Sequence, residues 1–156
     1  MDGGSAPPTA AWWHMRLTAF SDYTLRTLIY LALRPNELCT IDEIATAYGI
    51  SGNHLMKVVQ QAAQAGEVQT MRGQHGGLRL ARAPETINVG AVLRRTEPDL
   101  NLAPCFGPDN ECCIQPACVL QSALREALAA FLAVLDGVSL ADLIRPKRQL
   151  SSLLRL

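Results

Sequence analysis

TIDEIATAYGISGNHLMKVVQQAAQAG, residues 40–66, contains two short helical patterns on either side of a glycine turn. Thr40 and Glu43 stand at the spacing of a capping box, in which the threonine side chain caps the backbone and the glutamate reaches back. They predict a helix over residues 41–48. Gly49 then ends this helix, because glycine tolerates the left-handed backbone conformation that a tight turn requires.

The second helical pattern follows directly after this turn. Ser51 can cap a helix over residues 52–65, which stops at Gly66. A short helix, a glycine turn and a second capped helix form the helix-turn-helix pattern, whose second helix enters the major groove of DNA. Many helical domains contain similar turns, so the segment that follows is needed to distinguish them.

A glycine-rich hairpin follows the helix-turn-helix pattern. Two short strands, residues 68–71 and 78–81, flank the sequence RGQHGG at residues 72–77. Residues 51–82 contain four basic side chains and one acidic side chain, although the formal net charge of the 156-residue chain is zero. Positive charge concentrated on one motif attracts DNA phosphates. The sequence therefore predicts a winged helix-turn-helix DNA-binding domain.

Candidate DNA contacts lie near the start of the second helix and at the tip of the hairpin. Asn53, His54 and Lys57 fall on roughly one helix face and could reach base edges or phosphates. Arg72 and His75 could enter the minor groove, because the neighbouring glycines let the backbone come close. The alternative for each is an ordinary solvated surface. The candidate residues are Ser51, Asn53, His54, Lys57, Arg72, Gln74, His75 and Arg79.

The flanking segments are mainly helical. Apolar spacing predicts helices over residues 17–33, 88–96 and 116–135, and a short helix over 139–144. The helix over 116–135 carries a long apolar stripe that a second copy would cover in a two-fold dimer; burial within one chain is the alternative. We therefore expect a mainly α fold: a winged helix-turn-helix with a small two-stranded wing, plus a long C-terminal dimerisation helix.

Composition and these elements divide the chain into segments. No apolar run reaches the length of a membrane span and no signal-peptide pattern is present, so we expect a soluble cytoplasmic protein without a membrane partner. Nucleophile elbows, phosphate loops and paired carboxylates at catalytic spacing are lacking, which argues against an enzyme. The expected segments are a flexible extension at 1–14, the DNA-binding domain at 15–84, a connecting helix with the cysteine-rich loop at 85–117, the dimerisation helix with a short helix at 118–146, and a flexible tail at 147–156.

Four of the five cysteines lie in CFGPDNECCIQPAC, residues 105–118. The prolines and the glycine let the backbone turn around a metal ion or a metal cluster. Pro116 suits the first turn of a helix. Cys118 would then lie in that first turn, where the helix dipole favours a thiolate. Structural zinc sites usually contain closer cysteine pairs, disulfide frameworks belong to secreted domains, and a polar loop would hold unligated thiols near water. The long spacings therefore favour an iron–sulfur cluster.

The segment that leads into the cysteine loop is acidic. Residues 97–111 contain four acidic side chains and no basic one, so this part of the chain is a poor phosphate binder. We expect it to lie away from DNA, on the side of the molecule that receives the signal.

Four segments together carry a family resemblance: MRLTAFSDYTLRTLIYLA at 15–32, RGQHGGLRLA at 72–81, CCIQPAC at 112–118 and FLAVLDGVSLADLI at 131–144. The chain resembles the NsrR-type nitric-oxide-sensing repressors of the iron–sulfur winged-helix, or Rrf2-type, regulator family. The resemblance implies a homodimeric repressor that binds double-stranded operator DNA with its cluster intact. It also implies that the DNA is released when nitric oxide nitrosylates the iron.

The resemblance further implies the ligands of the cluster, which is of the [4Fe-4S] or [2Fe-2S] type. The three cysteine ligands of the family correspond to Cys105, Cys112 and Cys118. Cys113 is an alternative metal ligand to its neighbour. Asp22 stands where an aspartate of the second subunit can supply the fourth ligand, and an ordinary helix-start aspartate is the other reading of this residue.

Two other functions remain open at this point. The first is a redox- or iron-responsive [2Fe-2S] regulator of the same superfamily. Gln121 stands where the regulators of cluster assembly have a histidine, which argues against that subgroup. The second is a small zinc-bound structural module.

Overall fold

Helices dominate the described part of the chain, and two short strands form a wing. The computed structural model describes residues 16–108 and 112–156, so the expected extension at 1–14 lies outside the described residues. The mainly α winged-helix fold expected from the sequence is confirmed. Among the described helices, none combines the length and apolar character needed to span a membrane. The helices are α1 (Ala19–Leu33), α2 (Ile41–Tyr48), α3 (Gly52–Gln64), α4 (Val89–Thr96), α5 (Val119–Asp136), α6 (Leu140–Leu143) and α7 (Lys147–Leu154), and the strands are β1 (Val68–Met71) and β2 (Gly77–Leu80).

Local capping explains the helix-turn-helix. The predicted capping box is present: the Glu43 backbone N–H donates to Thr40 Oγ1 at 3.2 Å, and the Thr40 N–H donates to Glu43 Oε2 at 2.6 Å. Gly49 ends α2 in the left-handed conformation, with a φ of 64°. α3 begins at Gly52, and Ser51 occupies its N-cap position, although the Ser51 side chain makes no capping hydrogen bond.

The core lies between α1 and the helix-turn-helix. α1 packs against α3, α4 and β2. Its buried side chains Leu28 and Leu31 belong to one apolar cluster with Ile44 of α2 and Leu55 of α3. Burial of such side chains is the dominant favourable contribution to folding. Leu140 of α6 joins the same cluster, so the C-terminal part of the chain returns to the DNA-binding domain.

Cys39 is fully buried beside the wing. Its backbone N–H donates to the Leu78 carbonyl at 2.9 Å, and the Leu78 N–H donates to the Cys39 carbonyl at 2.7 Å. Burial raises the pKa of the Cys39 thiol, so this thiol stays protonated near neutral pH. A buried, protonated thiol behaves as a small apolar side chain. Cys39 therefore fills the core.

The wing is an antiparallel pair in which Val68 pairs with Leu80 and Met71 with Gly77. β2 begins at Gly77, one residue before the predicted strand. A Cβ atom at this position would lie 2.9 Å from the Leu38 Cβ. Glycine is therefore required for β2 to approach the segment that precedes α2.

α5 extends from the core, and none of its 18 residues is buried. Its C-terminal end is fastened to α4, where Arg94 forms a bidentate ion pair with Asp136 at 2.5 and 2.7 Å. This ion pair lowers the pKa of the Asp136 carboxyl, chiefly through the hydrogen bond from Arg94. The described residues of the same chain do not bury the predicted apolar stripe of α5.

The C-terminal half differs from the sequence prediction at two places. The helix predicted from residue 116 begins at Val119, because Gln115–Ala117 forms a separate 3-10 turn and Cys118 has an extended backbone with a ψ of 105°. Cys118 is thus the N-cap of α5 and does not lie in its first turn. Residues 147–156 were expected to be a flexible tail, but Lys147–Leu154 forms α7, because Leu154 packs against the core cluster.

Candidate nucleic-acid interface and cysteine loop

The outer face of α3 carries the side chains predicted to contact DNA. Asn53, His54 and Lys57 are exposed there, and Ser51 is exposed just before the helix. The opposite face of α3 is buried in the core. The His54 ring lies beside Tyr23 of α1, with the ring centroids 6.2 Å apart. α3 thus presents a polar face to solvent, while burial of its apolar face fixes its orientation.

The tip of the wing exposes Arg72, Gln74 and His75. Arg79 projects from β2 and is also exposed. Its Nε donates to the side-chain oxygen of Gln69 on β1 at 3.0 Å, which orients the guanidinium along the outer surface of the hairpin. The wing residues predicted to contact DNA are therefore all accessible.

The acidic residue of the DNA-binding motif is buried beneath the wing. Glu67 forms ion pairs with Arg95 of α4, at 2.5 Å, and with Arg82, at 3.8 Å. Its side chain is only 5% exposed, and a buried carboxylate is tolerated when it is paired in this way. The negative charge of Glu67 is therefore neutralised internally and does not offset the cations on α3 and the wing tip.

The end of α4 is bonded to both parts of the DNA-binding domain. Arg95 reaches the buried glutamate beneath the wing. Thr96 Oγ1 and Ser21 Oγ of α1 share a buried hydrogen bond of 2.7 Å. Glu97 Oε1 accepts a hydrogen bond from the Thr18 backbone N–H, at the N-cap of α1, with a length of 2.9 Å. Residues 98–104 separate this end of α4 from Cys105, so the chain that enters the cysteine loop starts from a segment that contacts α1 and the base of the wing.

One end of the cysteine loop is fastened to α5. Cys105 lies in a single 3-10 turn together with Phe106. The Gln121 side-chain N–H donates to the Cys105 carbonyl at 2.9 Å, and the Arg125 guanidinium carbon lies 4.9 Å from the centre of the Phe106 ring. Cys118 is the N-cap of the same helix. The structure thus brings Cys105 and Cys118 to one end of α5.

The remaining cysteines of the loop lie on its outer side. Cys112 and Cys113 are exposed, whereas Cys105 and Cys118 are half-buried. Within residues 16–108 and 112–156, no three histidine, cysteine, aspartate or glutamate side chains lie close enough together to hold a metal ion. The donors nevertheless have the chemistry of an iron–sulfur site, because thiolates are the usual ligands of such clusters. A cluster would require the exposed cysteines to move towards the end of α5.

Asp22 lies in the first turn of α1 and is linked to the helix-turn-helix through Arg26. The Arg26 Nε is 2.9 Å from Asp22 Oδ2. The Arg26 guanidinium carbon lies 5.6 Å from the ring centre of Tyr48, the last residue of α2. Burial raises the pKa of Tyr48 to about 12, so the ring that faces Arg26 stays neutral. A change at Asp22 can therefore reach the turn between α2 and α3.

A helix-turn-helix with a basic wing and a long uncovered helix defines a winged-helix transcriptional regulator. The Rrf2 family model, described as an iron-dependent transcriptional regulator, matches residues 17–146. The HTH-type transcriptional regulator NsrR of Bacillus subtilis is 50% identical over 144 residues, which cover 91% of this chain and 99% of that protein. NsrR of Halalkalibacterium halodurans is 46% identical over 144 residues, with the same coverage of both chains.

Solved structures agree with these sequence comparisons. IscR from T. potens has a TM-score of 0.68 and 25% identity, covering 85% of this chain and 88% of that one. CymR of B. subtilis, described as the global cysteine regulator, has a TM-score of 0.64 and 26% identity, covering 83% of this chain and 96% of its own. The chain belongs to the Rrf2 family of transcriptional regulators, and within it to the NsrR type. It is therefore not an enzyme, in agreement with the sequence analysis.

No pattern in the sequence marks the side chains that contact the cysteine loop and the end of α4. In the sequence, Gln121 is notable only because it stands where the regulators of cluster assembly have a histidine. Nothing in the sequence indicates a contact of Arg125 or Glu97. One signal was available: Gln121 and Arg125 are four residues apart in a predicted helix, so both lie on one face of it.

Proposed function

We propose that this protein is a DNA-binding repressor that acts as a homodimer and senses nitric oxide through an iron–sulfur cluster. The observation that carries the proposal is that the segment leading into the cysteine loop begins at residues 95–97, which bond to α1 and to the base of the wing. A rearrangement of the loop can therefore alter the geometry of the DNA-binding domain. The similarity to regulators named NsrR supports the same assignment.

The cysteine loop would hold the cluster through Cys105, Cys112 and Cys118, with Cys113 as an alternative to its neighbour. When bound, the cluster supplies iron with which nitric oxide reacts. The chain's own residues then transmit the change in ligation. When the loop loses its metal, we expect the change to be passed along residues 98–104 to Glu97, whose carboxylate accepts a hydrogen bond from the Thr18 backbone N–H at the start of α1.

The DNA surface would consist of α3 in the major groove and the wing against the minor groove. Dimerisation through α5 would present two such surfaces to half-sites one helical turn apart. A sideways shift of either surface then breaks the match with both half-sites. The proposed contact residues are Ser51, Asn53, His54, Lys57, Arg72, Gln74, His75 and Arg79, all of which are exposed.

Lys57→Ala and Arg72→Ala are each expected to weaken DNA binding and to lower its salt dependence. Each substitution removes one phosphate contact, so the slope of log affinity against log salt concentration should fall by about 0.9. Fluorescence anisotropy between about 50 and 200 mM salt measures this slope on a duplex that the protein selects from a random-sequence pool. Arg148→Ala, in α7 outside the proposed surface, is the control. Unchanged slopes for both test variants would contradict the proposed interface.

Asp22→Ala is expected to destabilise the cluster and weaken operator binding. We propose that Asp22 ligates the cluster of the second subunit, where its oxygen is a harder and more exchangeable ligand than thiolate. Without this ligand, we expect a chelator to remove the iron at least about ten-fold faster, as followed by visible absorption. Asp42→Ala, which removes a first-turn aspartate from α2, is the control. An Asp22→Ala variant with unchanged cluster, nitric-oxide response and DNA affinity would disprove this role.

A redox- or iron-responsive regulator is the second candidate function. The description of the matched family as iron-dependent favours it. Both candidates use the same cysteines and the same DNA surface, and only the stimulus differs. Separate exposure of the protein–DNA complex to nitric oxide, oxygen and an iron chelator distinguishes them, because the proposed sensor releases DNA at a stoichiometric amount of nitric oxide.

A further inference from the structure

Two side chains outside the proposed ligand set hold the turn that carries Cys105. The Gln121 side-chain N–H donates to the Cys105 carbonyl at 2.9 Å, and the Arg125 guanidinium carbon lies 4.9 Å from the centre of the Phe106 ring. The two contacts therefore hold consecutive residues of one turn. Gln121 and Arg125 are one helical turn apart, so both lie on the face of α5 that begins at Cys118.

We propose that Gln121 and Arg125 are positioning residues that hold Cys105 at the N-terminal end of α5, where it and Cys118 can ligate the same metal centre. The proposal rests on the proposed function of the cysteine loop as a cluster site. Ordering a loop around a metal costs backbone entropy, and a ligand held in place beforehand reduces that cost. The Gln121 side-chain N–H donates to the Cys105 backbone carbonyl, so in this arrangement Gln121 acts on the site through Cys105.

Cobalt(II) titration of the reduced, cluster-free protein tests this role. Charge-transfer bands between thiolate and cobalt report cysteine ligation without nitric oxide or DNA. Gln121→Leu keeps a side chain of similar size but removes the donor, and it is expected to weaken cobalt binding about five-fold, the effect of one neutral hydrogen bond. Gln149→Leu, an exposed change of the same kind in α7, is the control and should leave the affinity unchanged.

Arg125 provides an independent test of the same turn. Arg125→Leu is expected to weaken cobalt binding about three-fold, because it removes a cation from the face of an aromatic ring. Arg125→Lys should restore part of this loss, since an ammonium group keeps the charge near Phe106. If Arg125 only filled space, Arg125→Lys would bind cobalt no more tightly than Arg125→Leu.

The possible results distinguish a failure of the positioning role from a failure of the proposed cluster site. Equal cobalt affinities of the wild type and Gln121→Leu would overturn the positioning role and leave the cluster site intact. A loss of affinity that follows a loss of thermal stability in every variant, the control included, would also overturn it. Absence of thiolate bands in the wild type would overturn the cluster site itself, and the positioning role with it.

Discussion

A Cys118→Ser variant is expected to purify colourless without oxygen and to bind its selected duplex no better than unrelated DNA. Serine keeps the shape of the side chain but supplies no thiolate, the usual ligand of iron–sulfur clusters, and Cys118 stands at the N-cap position of α5 beside the turn of Cys105. Without the cluster only sequence-independent phosphate attraction remains, so the affinity should fall by about 10³-fold or more. Visible absorption and fluorescence anisotropy measure the two effects on one sample.

Cys112→Ser and Cys113→Ser form the matched pair for this experiment, because both thiols are exposed in the same part of the loop. Cys112→Ser should behave like Cys118→Ser, whereas Cys113→Ser should keep its colour and its affinity. The reverse result would assign the ligand to Cys113. A Cys118→Ser protein with the full visible spectrum of the wild type would contradict the proposed ligand set.

A Phe131→Glu variant is expected to be monomeric. Phe131 and Val134 are 47% and 69% exposed on α5, a helix with no buried residue. In a dimer through α5 the new carboxylate would be buried without a partner, which is unfavourable. A monomer binds a single half-site. In the dimer, the first binding event holds the second DNA-binding domain close to the second half-site, and the monomer lacks this advantage. Its affinity for the full site should therefore fall by about 10²- to 10⁴-fold.

Sedimentation velocity measures the mass of this variant, and anisotropy measures its binding. Val134→Glu adds the same charge at a second exposed apolar position of α5 and should also give a monomer. Ala133→Glu adds the same charge on the other side of α5 and is expected to remain a dimer. Dimeric Phe131→Glu and Val134→Glu proteins would show that the subunits associate through another surface.

The DNA-binding half of the fold follows from local signals. The capping box at Thr40 and the left-handed turn at Gly49 involve neighbours in the chain, and both are present in the structure. The glycine-rich segment 72–77 between two short strand patterns likewise places the wing to within one residue. These elements could be predicted because capping, turn conformation and strand pairing here depend on residues close in sequence.

Contacts between distant residues explain what the sequence did not reveal. In the sequence Glu67 is one negative charge that opposes DNA binding, yet the fold returns Arg95 to it from 28 residues further along. Cysteine spacing predicts a loop, but it does not reveal the hydrogen bond between Gln121 of α5 and the Cys105 carbonyl, 16 residues apart. The helix α7 depends in the same way on Leu154 reaching a core formed by earlier residues.

Simultaneous titration of the oxygen-free protein–DNA complex with nitric oxide is the most direct test of sensing through the cysteine loop. Visible absorption reports the cluster, and the anisotropy of the labelled duplex reports binding. The expected result is a coloured protein whose absorption bleaches and whose DNA is released over the same stoichiometric range of nitric oxide. A protein that remains colourless after iron and sulfide are supplied, or a cluster that bleaches while the DNA stays bound, would contradict it.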